Sequence, residues 1–552
     1  MKILAAALGN CVHVAGLNSF LEIARVLGHD SVFLGPAVPV KRVVASIAVH
    51  KPDAVALSYR LSPESAQAIF SELKSELDKN PDMKKLKFYF GGTPPVVKIA
   101  SGSGIFDACF DGTEEEGAVV SLLKGTSLAQ RAVANSEDLV SRIESSYPIP
   151  LIRHHFGLPT LEETVSGSRM VAESGLVDIL SIAPDQNAQE SFFRPDEMNR
   201  AMDGAGGVPL RGPEDLRALR EATRTGNKPL LRCYSGTRDL VKWAEMLRDT
   251  IGNAWGAVPL TWYCELDGRS KRTLKDAIAE NQEAIRWYAA HGIPVEVNES
   301  HQWALRRSGD VIELATAYLA AYNAKALGVK DYVCQFMFDT PKGISPAMDI
   351  AKMLAKLELV QTLAATDFRI IRMVRSGLAS FSPAADTAKG QLGASVFSSM
   401  AIRPHIVHVV GFCEGDHAAR PEEIIESCEI ARGAATKALL GGIAPEHDPA
   451  VASRKAQLLS EARFLIDAIK RLKRATSDDP LTSPDTIAEA VREGLLDASD
   501  LRGNPVARGR IVTAIIGGAC VAVSPSTGKP LTEKERIDEL AVSEEDLDLA
   551  EM

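Results

Sequence analysis

The chain opens on an apolar run, Ile3 to Leu8, that breaks at Gly9-Asn10-Cys11-Val12-His13-Val14-Ala15-Gly16 and passes into a pattern of apolar positions at helical spacing through Leu27, where Gly28 stops it. A second strand is predicted over Ser31 to Leu34, followed by Gly35 and a helical pattern ending at His50. The runs Ala54 to Leu57, Phe88 to Phe90 and Ala108 to Phe110 follow, the last two ending in Gly91-Gly92 and Gly112-Thr113. Strands followed by glycine turns at crossover spacing predict an open parallel sheet over residues 1–125, Rossmann-like in the flavodoxin manner, with its ligand site at the carboxyl ends of the strands.

Residues 126–148 are polar and rich in Ser, Ala and Glu, and read as a linker with some helix. Beyond them eight short apolar runs recur, mostly roughly 30 to 40 residues apart, which is the spacing of strand-helix units. They are Pro150 to Arg153, Val177 to Ile182, Pro229 to Cys233, Val258 to Cys264, Pro294 to Val297, Tyr332 to Met337, Phe368 to Val374 and Ile406 to Phe412. Helical patterns lie between them, among them Leu274 to His291, Asp310 to Leu327 and Ala347 to Ala364. The fold class is therefore α/β: a parallel sheet, then a (β/α)₈ TIM barrel over 149–445, then a mainly helical extension over 446–552. In that extension a helix is predicted from Asp448 through Lys473, a polar turn from Thr476 to Pro484, and a second helix from Ile487 to Leu495. The glycine-bearing stretch Gly503 to Gly509 reads as a tight turn or dimer contact ahead of an apolar run to Val523, and the acidic residues from Ala541 as a mobile end.

Composition narrows the class. A hydrophobic share of 45% and a charged share of 24% are those of an ordinary globular protein, and the net charge of −10, with no basic stripe, argues against nucleic acid as a partner. No apolar run approaches the roughly 20 residues that span a bilayer, and no basic leader precedes the first strand, so no membrane partner and a cytoplasmic location are expected. The eight cysteines form no Cys-x-x-Cys pair, which argues against a disulfide framework or a structural zinc site. His405 and His408 are three apart in a predicted strand and so point to opposite faces, an unpromising metal pair.

The spacing around His13 resembles the Asp-x-His-x-x-Gly motif of cobalamin-binding domains, with Gly16 as its glycine. In that family the histidine coordinates cobalt and the aspartate fixes its tautomer. Cys11 stands where the family has aspartate, and Ser58-Tyr59-Arg60 where it carries Ser-x-Leu. The resemblance implies His13 as the metal ligand, and Cys11, His13, Gly16, Ser58, Gly91, Gly92, Gly112 and Thr113 as cofactor contacts. A flavodoxin-like domain that kept the scaffold and lost the cofactor is the alternative that Cys11 and Arg60 favour.

The barrel segment is similar to the large catalytic subunit of glutamate mutase (methylaspartate mutase), an adenosylcobalamin-dependent isomerase. The similarity is carried by Leu231-Arg232 with Gly236-Thr237, and by His408 to Phe412 with Asp416-His417-Ala418-Ala419 and Ile425-Glu426-Ser427-Cys428. It implies adenosylcobalamin (cobalt) as cofactor, a radical mechanism, a small-molecule carboxylate substrate, and Arg232 as its anchor. Glu265, Asn298 and His417 are the further candidates for substrate contacts or proton transfer. Departures cluster at the substrate contacts: Gln189 stands where an arginine is expected, no glutamate for a substrate amine follows the fourth run, and Ser382 to Asp386 lacks a lysine. A site missing those partners disfavours glutamate itself. A corrinoid methyltransferase and a non-catalytic protein with a vestigial cobalamin domain remain as alternatives, and a homodimer joined through the extension is expected.

Overall fold

The computed structural model describes residues 1–112, 117–125, 136–234, 236–439, 444–472 and 479–540. The chain divides into two compact units, one formed by Met1–Ala134, Glu144–Ile149 and Thr436–Gly442, the other by Asn135–Ile143, Pro150–Ala435 and Ile443–Met552.

In the first unit β1 (Lys2–Ala7), β2 (Asp30–Phe33), β3 (Ala54–Tyr59), β4 (Lys87–Gly92) and β5 (Ala108–Phe110) make a parallel sheet of order β2-β1-β3-β4-β5. Period-two alternation sorts each strand between two cores. Leu4, Ala6, Val55, Leu57, Phe88 and Phe90 face one layer of helices, and Ile3, Ala5, Ala54, Ala56 and Tyr89 the other. Such strands, apolar on both faces, read as continuous runs, which is why they were visible in the sequence. The order reverses between β1 and β3, and their carboxyl ends open the crevice where doubly wound sheets take ligands.

The second unit holds the eight predicted barrel strands: β6 (Leu151–Phe156), β7 (Ile179–Ile182), β8 (Leu230–Cys233), β9 (Gly256–Val258), β10 (Val295–Val297), β11 (Asp331–Phe338), β12 (Arg369–Ser376) and β13 (Ile406–Val409). They run parallel in the order β8-β7-β6-β13-β12-β11-β10-β9. The remaining seam is drawn together where the Ala254 N–H, two residues ahead of β9, donates to Leu231 O at 2.9 Å. The fourth run was placed too late in the sequence: its strand is Gly256–Val258, because Pro259 has no N–H to continue the ladder. The amino-terminal end is plugged by Leu139 and Ile143, packed with Leu151, Ile179, Leu230, Ile371 and Ile406.

The extension packs on the barrel. Helix Pro449–Lys470, capped by Asp448, lies on helices Asp310–Ala326 and Pro346–Gln361. The second helix begins at Pro484 with Ser483 as its cap, inside what the sequence suggested was a turn. The apolar run to Val523 is a hairpin rather than helix, β14 (Thr513–Ile516) and β15 (Ala519–Ala522). Gly517 and Gly518 both have positive φ, which a two-residue hairpin turn demands, so Ile-Ile-Gly-Gly was the overlooked signal. Gly503 to Gly509 is a tight turn, in which Asn504 Oδ1 accepts from the Val506 and Ala507 N–H groups. Among the described residues no helix is long and apolar enough to cross a membrane. The residues from Ala541 lie outside the described set.

Candidate functional site

Two sites emerge, one in each unit. In the first, His13 stands exposed on the loop between β1 and helix Ala15–Val26, and its Nε2 has no protein partner among the described residues. Cys11 is fully buried with Val38 and Tyr59, its Sγ 3.9 Å from His13 Nδ1, so the thiol serves the core and holds the ring only weakly. Gly16 lies exposed in the first helical turn. Ser58, the penultimate residue of β3, is 5% exposed and its Oγ has no hydrogen-bond partner among the described residues. Directly across the ladder from it is Gly91, where a Cβ would meet nothing within 4 Å, while at Gly92 one would strike Tyr59 O at 2.8 Å. Gly112, also open, follows β5 with φ +91°, and Thr113 lies outside the described residues. An orphaned buried hydroxyl beside side-chain-free backbone, in a unit whose first loop carries an imidazole with an unshared nitrogen, fits a cobalamin.

The second site is the barrel interior. Inward positions alternate along the strands, so above the apolar plug come Arg153 and His155 from β6, Ser181 from β7, Arg232 from β8, Glu296 from β10, Met373 and Arg375 from β12, and His408 from β13. Register sets Arg375 beside His408, His408 beside Arg153, and Ser181 beside Arg232. Arg153 Nε donates to Ser181 Oγ at 2.8 Å, and among the described residues the hydrogen bond of its Nη1 goes to the Met373 thioether, a weak acceptor. Glu296 Oε2 accepts from Arg232 Nη2 at 3.1 Å and from Trp255 Nε1 at 2.8 Å, and lies 3.8 Å from Arg153 Nη1. Arg232 Nε and Nη1 are buried with no partner, and the terminal nitrogens of Arg375 donate to no protein group among the described residues.

Two fully buried guanidinium groups therefore share one carboxylate. Burial and the neighbouring Arg232 bring Arg153 down to about 9, still charged at neutral pH. Each has a guanidinium carbon over an aromatic ring, Arg153 at 5.2 Å from the Trp255 centroid and Arg232 at 5.0 Å from that of Tyr234. Such contacts return roughly 0.5–2 kcal/mol each. An uncompensated buried ion costs several. The deficit marks a place for an anion, and a carboxylate matches the guanidinium fork.

The histidines complete the lining. His155 Nε2 is met by Tyr234 OH at 2.7 Å and Arg153 Nη2 at 3.3 Å. Arginine can only donate, so Nε2 is an acceptor and the proton sits on Nδ1, which is buried without a partner among the described residues. Burial and the surrounding arginines push His155 and His408 well below the ordinary histidine value, so both are neutral, and burial raises Tyr234 to about 12. Their rings pack edge to face, 4.2 Å apart.

Of the four candidates from the sequence, only Arg232 joins this cluster. Asn298 follows β10 directly and is buried. Glu265 Oε1 accepts the Leu274 N–H at the start of a helix, and the nearby Glu299 is fully buried by bonds to Leu260, Thr261 and Trp303. His417 is exposed between Asp416 and Glu423, and Gln189 turns its amide to Pro184 O. Arg375 stands at the end of the seventh run, among the strand-end cations legible in the sequence, whereas Arg153, His155 and Glu296 lie within the strands, where period-two alternation is the signal that places them inward.

Residues 1–121 match the family model described as B12 binding domain. No curated protein matches the chain. Among solved structures, a cobalamin-binding protein from Desulfitobacterium hafniense DCB-2 is 28% identical, covering 24% of this chain and 57% of that one, with a TM-score of 0.19. The chain thus spans a little over half the length of that protein. A truncated 3-deoxy-D-arabino-heptulosonate 7-phosphate synthase from Thermotoga maritima is 14% identical, covering 58% and 87%, with a TM-score of 0.28.

Proposed function

We propose that this chain is an adenosylcobalamin-dependent carbon-skeleton mutase, related to glutamate mutase, acting on a small carboxylate other than glutamate. The observation that carries the reading is the pair Arg153 and Arg232, buried in the barrel with a single carboxylate between them. A B12-binding domain in the same chain supports the cofactor. His13 through Nε2 would hold the cobalt, and Ser58, Gly91 and Gly112 would receive the nucleotide tail. Bound adenosylcobalamin supplies radical chemistry, in which a substrate hydrogen is abstracted and a group migrates to the adjacent carbon.

The protein's own share is binding and orientation. Arg232 Nε and Nη1 and the Arg375 fork take the substrate carboxylate, and His155 Nδ1–H adds a neutral donor. Tyr234, with its proton held on oxygen, keeps the imidazole in that tautomer. The barrel wall excludes water from the reacting carbon.

Anaerobic reconstitution of the full chain with adenosylcobalamin or methylcobalamin, followed by a panel of small carboxylic acids, tests this. Carboxylate-dependent change of the adenosyl form, absent in Arg232→Met, is the expected result. Consumption of the methyl form instead would make the protein a methyltransferase, and failure to retain either would leave the first unit a vestigial module. His13→Ala should reshape the bound cobalamin spectrum; an unchanged electron paramagnetic resonance signature would sink the ligand assignment.

A further inference from the structure

Beyond β13 the chain makes a short turn in which Cys413 O accepts both the Asp416 and His417 N–H groups, at 2.8 and 2.9 Å. That i to i+4 closure puts the Cys413 thiol and the His417 imidazole on one side of a helical turn. Helix Pro421–Leu439 then brings in Glu423 from its first turn, where Oε2 accepts the Arg420 N–H at 2.9 Å and fixes the carboxylate. One donor atom from each of Cys413, His417 and Glu423 lies within 4.8 Å of the others.

We infer that Cys413, His417 and Glu423 form a zinc site at the carboxyl end of β13. Sulfur, imidazole and carboxylate in one cluster select zinc over the hard cations calcium and magnesium, which take oxygen. The outer groups are also those of a metal centre. His417 Nδ1 is held by Asp416 Oδ2 at 2.9 Å while Nε2 faces Glu423 Oε1 at 2.9 Å. A carboxylate on the far nitrogen is what fixes the tautomer of a ligating histidine and raises its basicity. In this arrangement Nε2 is the metal-facing atom.

Three protein ligands leave a tetrahedral ion one position short. Structural zinc is closed by four, and an open fourth place takes water or an anionic ligand. Cys413 is buried, but the His417 side chain is 46% exposed, so the open side faces solvent. The carboxyl ends of the strands are also where barrels place their chemistry. The absence of Cys-x-x-Cys pairs argued only against a closed structural site. The Cys-x-x-x-His-x-x-x-x-x-Glu spacing after the last strand was the available signal.

The site is independent of the cobalamin reading, and its test uses the full chain purified without cobalamin. Zinc content is measured by mass spectrometry after dialysis, and affinity by competition of added Zn²⁺ with a chromophoric chelator. Expected are about one equivalent of zinc, a loss of binding of roughly 100-fold or more in Cys413→Ser and His417→Ala, and a 10- to 100-fold weakening in Asp416→Asn. His13→Ala should bind zinc as the parent does. Asp416→Asn and His417→Ala alter exposed side chains, so they carry the test if Cys413→Ser does not fold. Negligible zinc in the parent, or equal affinity in the parent and His417→Ala, overturns the site and leaves a surface ion triad only.

Discussion

Arg232 and Glu296, 64 positions apart in the chain, meet inside the barrel through Nη2 and Oε2 at 3.1 Å, and Arg153 leans on the same carboxylate. The relationship is unequal. Glu296 is held by a guanidinium and an indole, whereas Arg232 keeps two buried nitrogens that donate to nothing among the described residues.

Unequal effects of the two partners on stability follow. Glu296→Gln leaves two buried cations without their anion and should cost about 3–5 kcal/mol. Arg232→Met removes one cation and leaves Arg153 with Glu296, so it should be close to neutral for stability while abolishing carboxylate binding. Urea unfolding of both variants, with and without a saturating carboxylate, measures this; equal destabilisation would refute the inequality.

Ser58 offers a second contrast. Its Oγ is buried without a partner among the described residues, so Ser58→Ala should leave the free protein as stable or stabilise it by about 1 kcal/mol. Cobalamin affinity should fall at the same time. Thermal unfolding of the two proteins and a cobalamin titration report the two halves separately.

Cys11 holds His13 only through a 3.9 Å sulfur contact. Cys11→Asp should restore a carboxylate behind the imidazole and tighten cobalamin binding by about 10-fold or more. Burial of Cys11 sets the counterweight: an aspartate there must find His13 or destabilise the unit. A titration showing no gain in affinity would mean that the ring is not held from this position.

Acid should weaken the second unit. Burial pushes His154, His155, His301 and His408 down, the last three well below the ordinary value, and His405 to about 3. Below about pH 6.5 the unfolded chain takes up protons that the native protein refuses, so each histidine costs about 1.4 kcal/mol per pH unit down to its native value. Burial acts in the opposite sense on Asp349, raised to about 7, whose native carboxyl gains a proton first and adds stability as pH falls from 7 toward 4. Asp178, Glu299, Asp310, Asp339 and Glu533 are raised by burial in the same sense as Asp349, and the five histidines, whose unfolded values of about 6.5 lie inside the window, carry the net loss. Urea midpoints at pH 7.5, 6.5 and 5.5 should fall in that order, with a shallower fall in His408→Asn.

Much of the fold was legible because buried parallel strands advertise themselves. Ala54–Tyr59 is buried at all six positions, and Ile406–Val409 at all four, so burial on both faces writes an uninterrupted apolar run. The hairpin at Ile516-Gly517 was not read, since its half-exposed strands lack that contrast. The place of His13 on the loop after the first strand was legible from its spacing to a strand and a glycine. Glu265 was not separable from Glu296 by type; one proved to serve a helix end and the other faces two arginines.

By itself the sequence determined the local order: eight strand-helix units behind a five-stranded sheet, and a histidine on the first crossover loop, because periodicity and turn chemistry act over a few residues. Only the tertiary structure decided which polar groups meet. Barrel closure and ladder register bring Arg153, Arg232, Glu296 and His408 together from four strands, and a turn and a helix start bring Cys413 and His417 to Glu423. Those distances follow from the packing of whole elements, which no short stretch of chain encodes.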